Sequence, residues 1–423
     1  LNSPPDPLAG LARARREASP RGLTSVCSVH PLVIEAALVA ARITENPVLI
    51  EVTCNQVNQE GGYSGMTPGA FARFIRALAS RIGLAQSQIV LGGDHLGPHP
   101  WRGLAAEAAL AKAEAMVAAY AGAGMSKLHL DTSMRCADDP PVLAEAVVAA
   151  RAARLAAVAE QAARASCYPP PAYVIGTEVP VPGGERESSL APPPTDPARA
   201  EATLAAHTHA FAARGLSDAR ILALVVQPGV DFSNVDVALY DPGKAAGLAA
   251  TLDAHPDLVF EAHSTDYQPR EALRALVRDG FALLKVGPEL TFAMRAALYA
   301  LDDIAQVLDG DAALKRVMEQ VMLAAPEHWQ GYGAGDERTQ KMLRHYGYSD
   351  RIRYYWRAAP AAAGVEALLA RFSNADIPRP LIAQFFPTLH ERVVSGDLAP
   401  RGRALVMAAI GDVLARYHDA TSG

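Results

Sequence analysis

Asp94 and His95 stand side by side in the stretch Ile89–Pro98, IVLGGDHLGP, where an apolar run broken by two glycines stops abruptly. An acid and an imidazole at the tip of a buried strand can bind a metal or move a proton. Adjacent strand residues point to opposite faces, so one of the pair is expected to meet a metal or substrate and the other a second part of the cleft. Taken alone, the pair fits equally well an N-cap aspartate beside a hydrogen-bonded core histidine.

Other apolar runs also end in polar side chains. The first ends in Ser28 and His30, and the second in Glu51 followed by Asn55, Gln56, Asn58 and Gln59. Asp131, Glu178 and Gln227 close later runs, then Glu261 with His263, and finally Lys285. Histidines and carboxylates converging from several strands make the composition of a metal or acid–base site. His95, Glu178 and His263 form a His/Glu/His set that suits zinc, with manganese, cobalt or nickel as alternatives, and leaves a side open to substrate. Asp94 is the expected general acid–base, with Asp131 and Glu185 as further candidates. The amides of CNQVNQEGGY, Cys54 to Tyr63, can donate to and accept from a polyhydroxylated ligand, or they can satisfy their own loop as Asx-turns. His129, inside an alternating strand, reads as a core or outer-layer histidine, and His207, His209 and His255 read as surface positions on helices or their ends.

These residues need a frame, and the chain supplies a regular one. Eight short apolar runs, at 23–28, 48–53, 89–94, 127–131, 172–178, 221–227, 258–263 and 282–287, alternate with long Ala-rich stretches of helical period. Thr67 before Pro68 reads as a helix start, and Gly122 with Gly124 as a helix end. Eight strands each followed by a helix predict an α/β fold, a (β/α)8 TIM barrel over residues 21–308, whose active site belongs at the C-terminal strand ends. A doubly wound open sheet is the alternative, but no GxGxxG follows the first strand. Residues 1–20 read as an amphipathic or loosely attached N-terminal arm, and 309–423 as a helical appendage acting as lid or interface. Within the appendage, SDRIRYYW at 349–356 carries Arg351 and Arg353 among aromatics.

The 423 residues are 50% hydrophobic and 20% charged, an ordinary globular composition. Apolar runs are interrupted well short of a membrane span, and the first twenty residues lack the apolar core of a signal peptide, so a cytoplasmic protein is expected. The leading Leu1 suggests a trimmed start. Cys27, Cys54, Cys136 and Cys167 show no CxxC spacing, which argues against disulfide frameworks and thiolate zinc sites. A net charge of −6 without a basic stripe excludes nucleic acid as the main partner. A homo-oligomer is compatible with all of this.

Taken together, SVCSVHPLVIEAAL, VTCNQVNQEGGYSGMTP, LGGDHLGP, HLDTSM, IGTEVPVPGGE, VVQPGV, FEAHSTDYQ, LKVGPELTFA and SDRIRYYW resemble the GatZ/KbaZ family over nearly the whole chain after residue 20. That family is described as accompanying the catalytic subunit of class II tagatose-1,6-bisphosphate aldolase, and it is similar to the metal-dependent class II aldolases. The resemblance implies that Asp94-His95 matches an acid–ligand pair, Glu178 a ligand five residues before Gly183-Gly184, and His263 a late ligand. Two departures stand out. The relatives carry another His ligand after the sixth strand, where this chain reads QPGVDF, so Gln227 or Asp231 would have to substitute. They also carry an Asn-rich phosphate turn after the eighth, where this chain has Gly287-Pro288-Glu289.

Some proteins resembling this family are described as ketohexose 4-epimerases interconverting fructose and tagatose, free or 6-phosphorylated. The C4 proton of a ketohexose is not adjacent to the carbonyl, so cleavage and re-formation of C3–C4 is the expected route, with the metal chelating the C2 and C3 oxygens. His30, Asn55, Asn58, Gln227, Asp266, Lys285 and Arg353 are the expected substrate contacts. The alternative is an aldolase subunit, either a stabilising partner of a catalytic chain or an aldolase itself.

Overall fold

The computed structural model describes residues 6–176 and 192–423. Its centre is a closed barrel of parallel strands: Leu23–Cys27, Val48–Thr53, Ile89–Leu96, Lys127–Leu130, Ala172–Ile175, Ile221–Val225, Val259–Ala262 and Phe281–Val286, referred to below as the first to eighth strands. Every expected run is a strand, and the first pairs with the eighth to close the ring. Between the sixth and seventh strands, Asp231–Phe232 and Val237–Ala238 add a small antiparallel ribbon at the C-terminal end.

The helices follow the sequence period. Pro31–Thr44 follows the first strand, and Pro68–Ile82 starts where Thr67 and Pro68 indicate, capped by the Thr67 hydroxyl on the Ala70 N–H and closed by Gly83 at φ 79°. Ala106–Gly122, Glu145–Ala165, Pro197–Ala213, Pro242–Thr251, Arg270–Arg278 and Pro288–Asp309 complete the outer layer. Asp196 and Asp241 each cap a helix that opens on a proline.

The termini fill in what the sequence leaves open. Of the two readings of the N-terminal arm, its described residues follow the amphipathic one: Leu8 and Leu11 are buried with Leu23, Leu49, Val90, Val259 and Leu283, where they plug the apolar floor of the barrel. The appendage contains Leu314–Ala324, Ala359–Arg371 and Gly402–Thr421, as the period indicates, and three shorter helices at Glu337–Tyr346, Arg379–Phe385 and His390–Val394. The last helix returns to pack on Pro288–Asp309, Arg270–Arg278 and Pro31–Thr44. Among the described residues no helix is long and apolar enough to cross a membrane.

The barrel interior is layered. Above the apolar floor lies a ring of buried charge from four strands. Lys127 Nζ lies 2.7 Å from Glu51 Oε1 and also pairs with Glu261, while Lys285 Nζ lies 2.9 Å from Glu51 and 3.5 Å from Glu261. Such charges survive burial only when each is paired and hydrogen-bonded. Gly92 makes room for the ring, because a Cβ there would meet Glu51 Oε1 at 2.7 Å.

Candidate active site

Above the charged layer, Asp94, His95, His129 and His263 offer ligand atoms that all lie within 4.8 Å of one another, and all four residues are buried. The third strand contributes two of them through a local irregularity. Its pairing with the fourth strand shifts between Gly93 and Leu96, and His95 adopts φ 49°, a conformation that non-glycine residues rarely take. Neighbours that strict alternation would send to opposite faces therefore share one cluster, with His95 Nε2 3.7 Å from Asp94 Oδ2. The sequence expectation of two separate faces is corrected on this point.

Each imidazole is backed by a carboxylate. His95 Nδ1 lies 2.9 Å from Asp131 Oδ2, and Asp131 is itself held by the Ser133 hydroxyl at 2.7 Å. His263 Nε2 lies 2.9 Å from Glu261 Oε1. His129 Nδ1 lies 2.8 Å from Asp94 Oδ1, to which it donates when it carries the ring proton, and 3.2 Å from the His95 backbone nitrogen, whose N–H it accepts when Nε2 carries the proton; holding a cation at Nε2 requires the first form. The opposite nitrogens, His95 Nε2, His129 Nε2 and His263 Nδ1, are then left as lone-pair donors. Of these, His129 Nε2 is buried without a hydrogen-bond partner among the described residues. The rings stand 5.0 to 5.3 Å apart between centroids. Three carboxylate-backed imidazoles with an orphaned ring nitrogen among them fit a divalent cation.

The electrostatics divide the rings: burial disfavours the charged form of His95, but Asp94 and Asp131 outweigh it and raise its pKa above the ordinary histidine value, so a cation there would have to displace the His95 proton. Burial pushes His263 down to about 3, despite the opposing pull of Glu261, so its ring is neutral. Burial also resists ionisation of Asp94, but the His95 ring and the Lys285 ammonium outweigh it and hold the carboxyl well below the ordinary carboxylate range. Lys285 Nζ sits 2.9 Å from Asp94 Oδ1. Burial would lower the Lys285 ammonium, but the surrounding acids, Asp94 foremost, hold it well above the usual lysine range. An ammonium held in its charged form is a poor nucleophile, so this pairing disfavours Schiff-base chemistry at Lys285.

Over the cluster opens a cavity of about 460 Å³, lined by Asp94, His95, His263, Asp266 and Lys285 from the barrel, and by Arg351, Arg353 and Tyr354 from the appendage. The appendage thus forms one wall of the mouth. A larger crevice of about 1360 Å³ lies at the opposite end of the barrel, between the N-terminal arm and the Gly402–Thr421 helix, away from the cluster.

The other expected site residues fall in distinct places. Asn55 lines the cavity. Asn58 closes its own loop, its Oδ1 accepting from Glu60 at 2.9 Å and Gly62 at 3.1 Å, as the Asx-turn reading has it. Gln227 Oε1 accepts from the Gly229 and Val230 N–H groups at 2.7 and 2.9 Å, and the side chain does not line the cavity. His30 caps Pro31–Thr44 through Nδ1, and burial, with the nearby Arg357, pushes it down to about 4. Asp131 stands behind His95 rather than in the cavity. Asp266 accepts from the Gly287 and Glu289 N–H groups at 3.0 and 2.8 Å. Glu178 and Glu185 lie outside the described residues.

His129, read from the sequence as a core or outer-layer histidine, is indeed fully buried, and it also brings a third imidazole into the cluster, a placement the sequence reading does not make. His207, expected at the surface, is buried with Nδ1 2.8 Å from the Thr203 carbonyl oxygen.

A family model described as D-tagatose-1,6-bisphosphate aldolase subunit GatZ/KbaZ-like matches residues 8–422. A curated protein of Agrobacterium fabrum (strain C58), D-tagatose 6-phosphate 4-epimerase, is 51% identical over 419 residues, covering 98% of each chain. The crystal structure of a probable tagatose 6 phosphate kinase from Sinorhizobium meliloti 1021 superimposes with a TM-score of 0.88 at 51% identity, over 95% of this chain and 100% of that one.

Proposed function

From the premise that this chain belongs to the GatZ/KbaZ-like family, we propose that it is a metal-dependent 4-epimerase interconverting tagatose 6-phosphate and fructose 6-phosphate. The observation that carries the reading is the trio of carboxylate-backed imidazoles beside Asp94 on a cavity of sugar size. The name of the half-identical relative supplies the substrate.

His95, His129 and His263 would hold the cation, with Glu178 a further proposed ligand. When bound, a divalent cation supplies Lewis-acid polarisation of the ketose C2 carbonyl. Asp94 is ionised, and its Oδ1 is fixed by Lys285 and His129, so it is placed to accept the C4 hydroxyl proton. Loss of that proton converts C4–OH to an aldehyde as the C3–C4 bond breaks, and the bonding pair moves into the C1–C3 fragment as an enediolate. The aldehyde turns, the bond re-forms on its other face, and Asp94 returns the proton. No atom is gained or lost, so no redox partner is required. Asp131 and Glu261 position the His95 and His263 rings, and Asn55 and Asp266 line the space in which the fragment turns. Glu185 is the other proposed acid–base group.

The family description favours a second reading, in which the chain serves as an aldolase subunit. One experiment separates the two. The purified chain is stripped with chelator, reloaded with zinc, manganese, cobalt or nickel, and offered tagatose 6-phosphate and tagatose 1,6-bisphosphate with no nucleotide present. Metal-dependent fructose 6-phosphate without triose supports the epimerase. Triose from the bisphosphate, or no reaction with either sugar, overturns it in favour of the aldolase or partner reading respectively.

A further inference from the structure

We propose that the substrate phosphate is seated by Arg353 of the helical appendage, and that Asp266 closes the helix N-terminus after the eighth strand to any phosphate. The inference rests on the sugar-phosphate reading of the site. In (β/α)8 barrels the anion seat is commonly built from the loops after the last two strands and the N-terminus of a following helix, whose free N–H groups point at the ligand. Here those groups are Gly287 N–H and Glu289 N–H, at the start of Pro288–Asp309, and both donate to Asp266 Oδ1. Asp266 is buried, and the nearby Glu289 carboxylate accepts from the Tyr267 N–H at 2.7 Å. A phosphate entering there would displace one carboxylate and sit beside another. The protein has filled its own anion seat.

Arg353 offers the complementary charge across the same cavity. Among the described residues its guanidinium is hydrogen-bonded to neutral acceptors: the Ser349 and Asp350 carbonyl oxygens through one nitrogen, and the Tyr354 hydroxyl at 2.9 Å. The neighbouring Asp350 carboxylate is already taken by Arg295 at 3.1 Å and the Thr291 hydroxyl at 2.6 Å. The group lies 4.5 Å from the centroid of the Tyr354 ring, and that ring packs edge-on against Tyr63 at 5.2 Å. A half-buried guanidinium held in fixed orientation, with no carboxylate hydrogen-bonded to it among the described residues and only the nearby Asp350 and Asp266 charges acting on it, is suited to a dianionic oxygen cluster. One sugar end then lies at the imidazoles and the phosphorylated end at the appendage. A bisphosphate would need a second seat at the position that Asp266 occupies.

The test uses the full-length, metal-loaded chain with Arg353→Gln and Arg353→Lys. For Arg353→Gln the KM for tagatose 6-phosphate should rise about 10- to 100-fold, the loss expected of a charge-assisted phosphate contact, with kcat changing less. Inorganic phosphate should compete with substrate in the wild type, and its inhibition constant should rise by a similar factor in the variant. Arg353→Lys, which keeps the charge, should recover part of both. If Arg353→Gln does not fold, Arg353→Lys decides, with an expected KM increase of about fivefold or more for the loss of the planar fork. Wild-type KM and phosphate inhibition in a folded variant would overturn the inference. A wild-type chain that leaves tagatose 6-phosphate unchanged would overturn the functional reading instead. The phosphate seat would then be judged by thermal stabilisation with inorganic phosphate, which Arg353→Gln must abolish.

Discussion

At the scale of single residues, the account turns on pairs rather than on isolated ligands. His129→Ala should remove bound metal and turnover as completely as His95→Ala or His263→Ala, read by metal analysis of dialysed protein together with rate. Retained metal and rate in His129→Ala would return that residue to the core. Asp131→Asn and Glu261→Gln should weaken metal binding about 10- to 100-fold without removing a ligand, because they loosen the rings that those acids orient. Asp266 gives a prediction in pH. Burial pushes its carboxyl from 3.8 up to about 7, so the folded state binds this proton more tightly than the unfolded state. Its contribution to stability is therefore full below about pH 4 and is lost as pH rises toward 7. Asp266→Asn keeps an acceptor for the two N–H groups and removes the titration. Its melting temperature should gain on the wild type from pH 4 to 7, and a constant difference would contradict the cause assigned. The gathering of His95, His263 and Asp94 is legible from their place at strand ends. His129 reads as core, although the two-residue period that turns Asp131 inward also turns His129 inward. The roles of Asn58 and Gln227 are not legible, because an amide that closes its own loop and one that faces a ligand have the same spelling.

At the scale of elements, the strands and helices follow from periodicity because each buries one clear face, and their bounds differ from the sequence reading by a few residues. What periodicity does not carry is the shift between Gly93 and Leu96, which converts an alternating pair into a shared cluster. The N-terminal arm is the other case. Its short helix Leu11–Arg16 has too few apolar residues to announce a core contact, yet Leu8 is 1% exposed against the barrel floor. Leu8→Ala should therefore lower unfolding stability by about 2–4 kcal/mol, with substrate KM unaffected, as measured by urea denaturation and kinetics. A loss below about 0.5 kcal/mol, the range of surface substitutions, would restore the loosely attached arm.

At the scale of the whole molecule, we propose that barrel and appendage form one functional unit rather than a catalytic domain with an accessory. The last helix covers three barrel helices, and Arg351, Arg353 and Tyr354 wall the cavity. Removing residues 309–423 should leave apolar barrel surface open and yield protein without a cooperative thermal transition; a cleanly melting, active barrel would refute this. The central claim is that the chain epimerises C4 by breaking C3–C4 in a metal-dependent site. It is tested most directly by NMR of tagatose 6-phosphate incubated in D2O with the chelator-stripped and the metal-reloaded chain. The account predicts fructose 6-phosphate only with the reloaded chain and no deuterium at C4, because that hydrogen stays on its carbon throughout. Deuterium at C4, or equal conversion by the stripped chain, would contradict it.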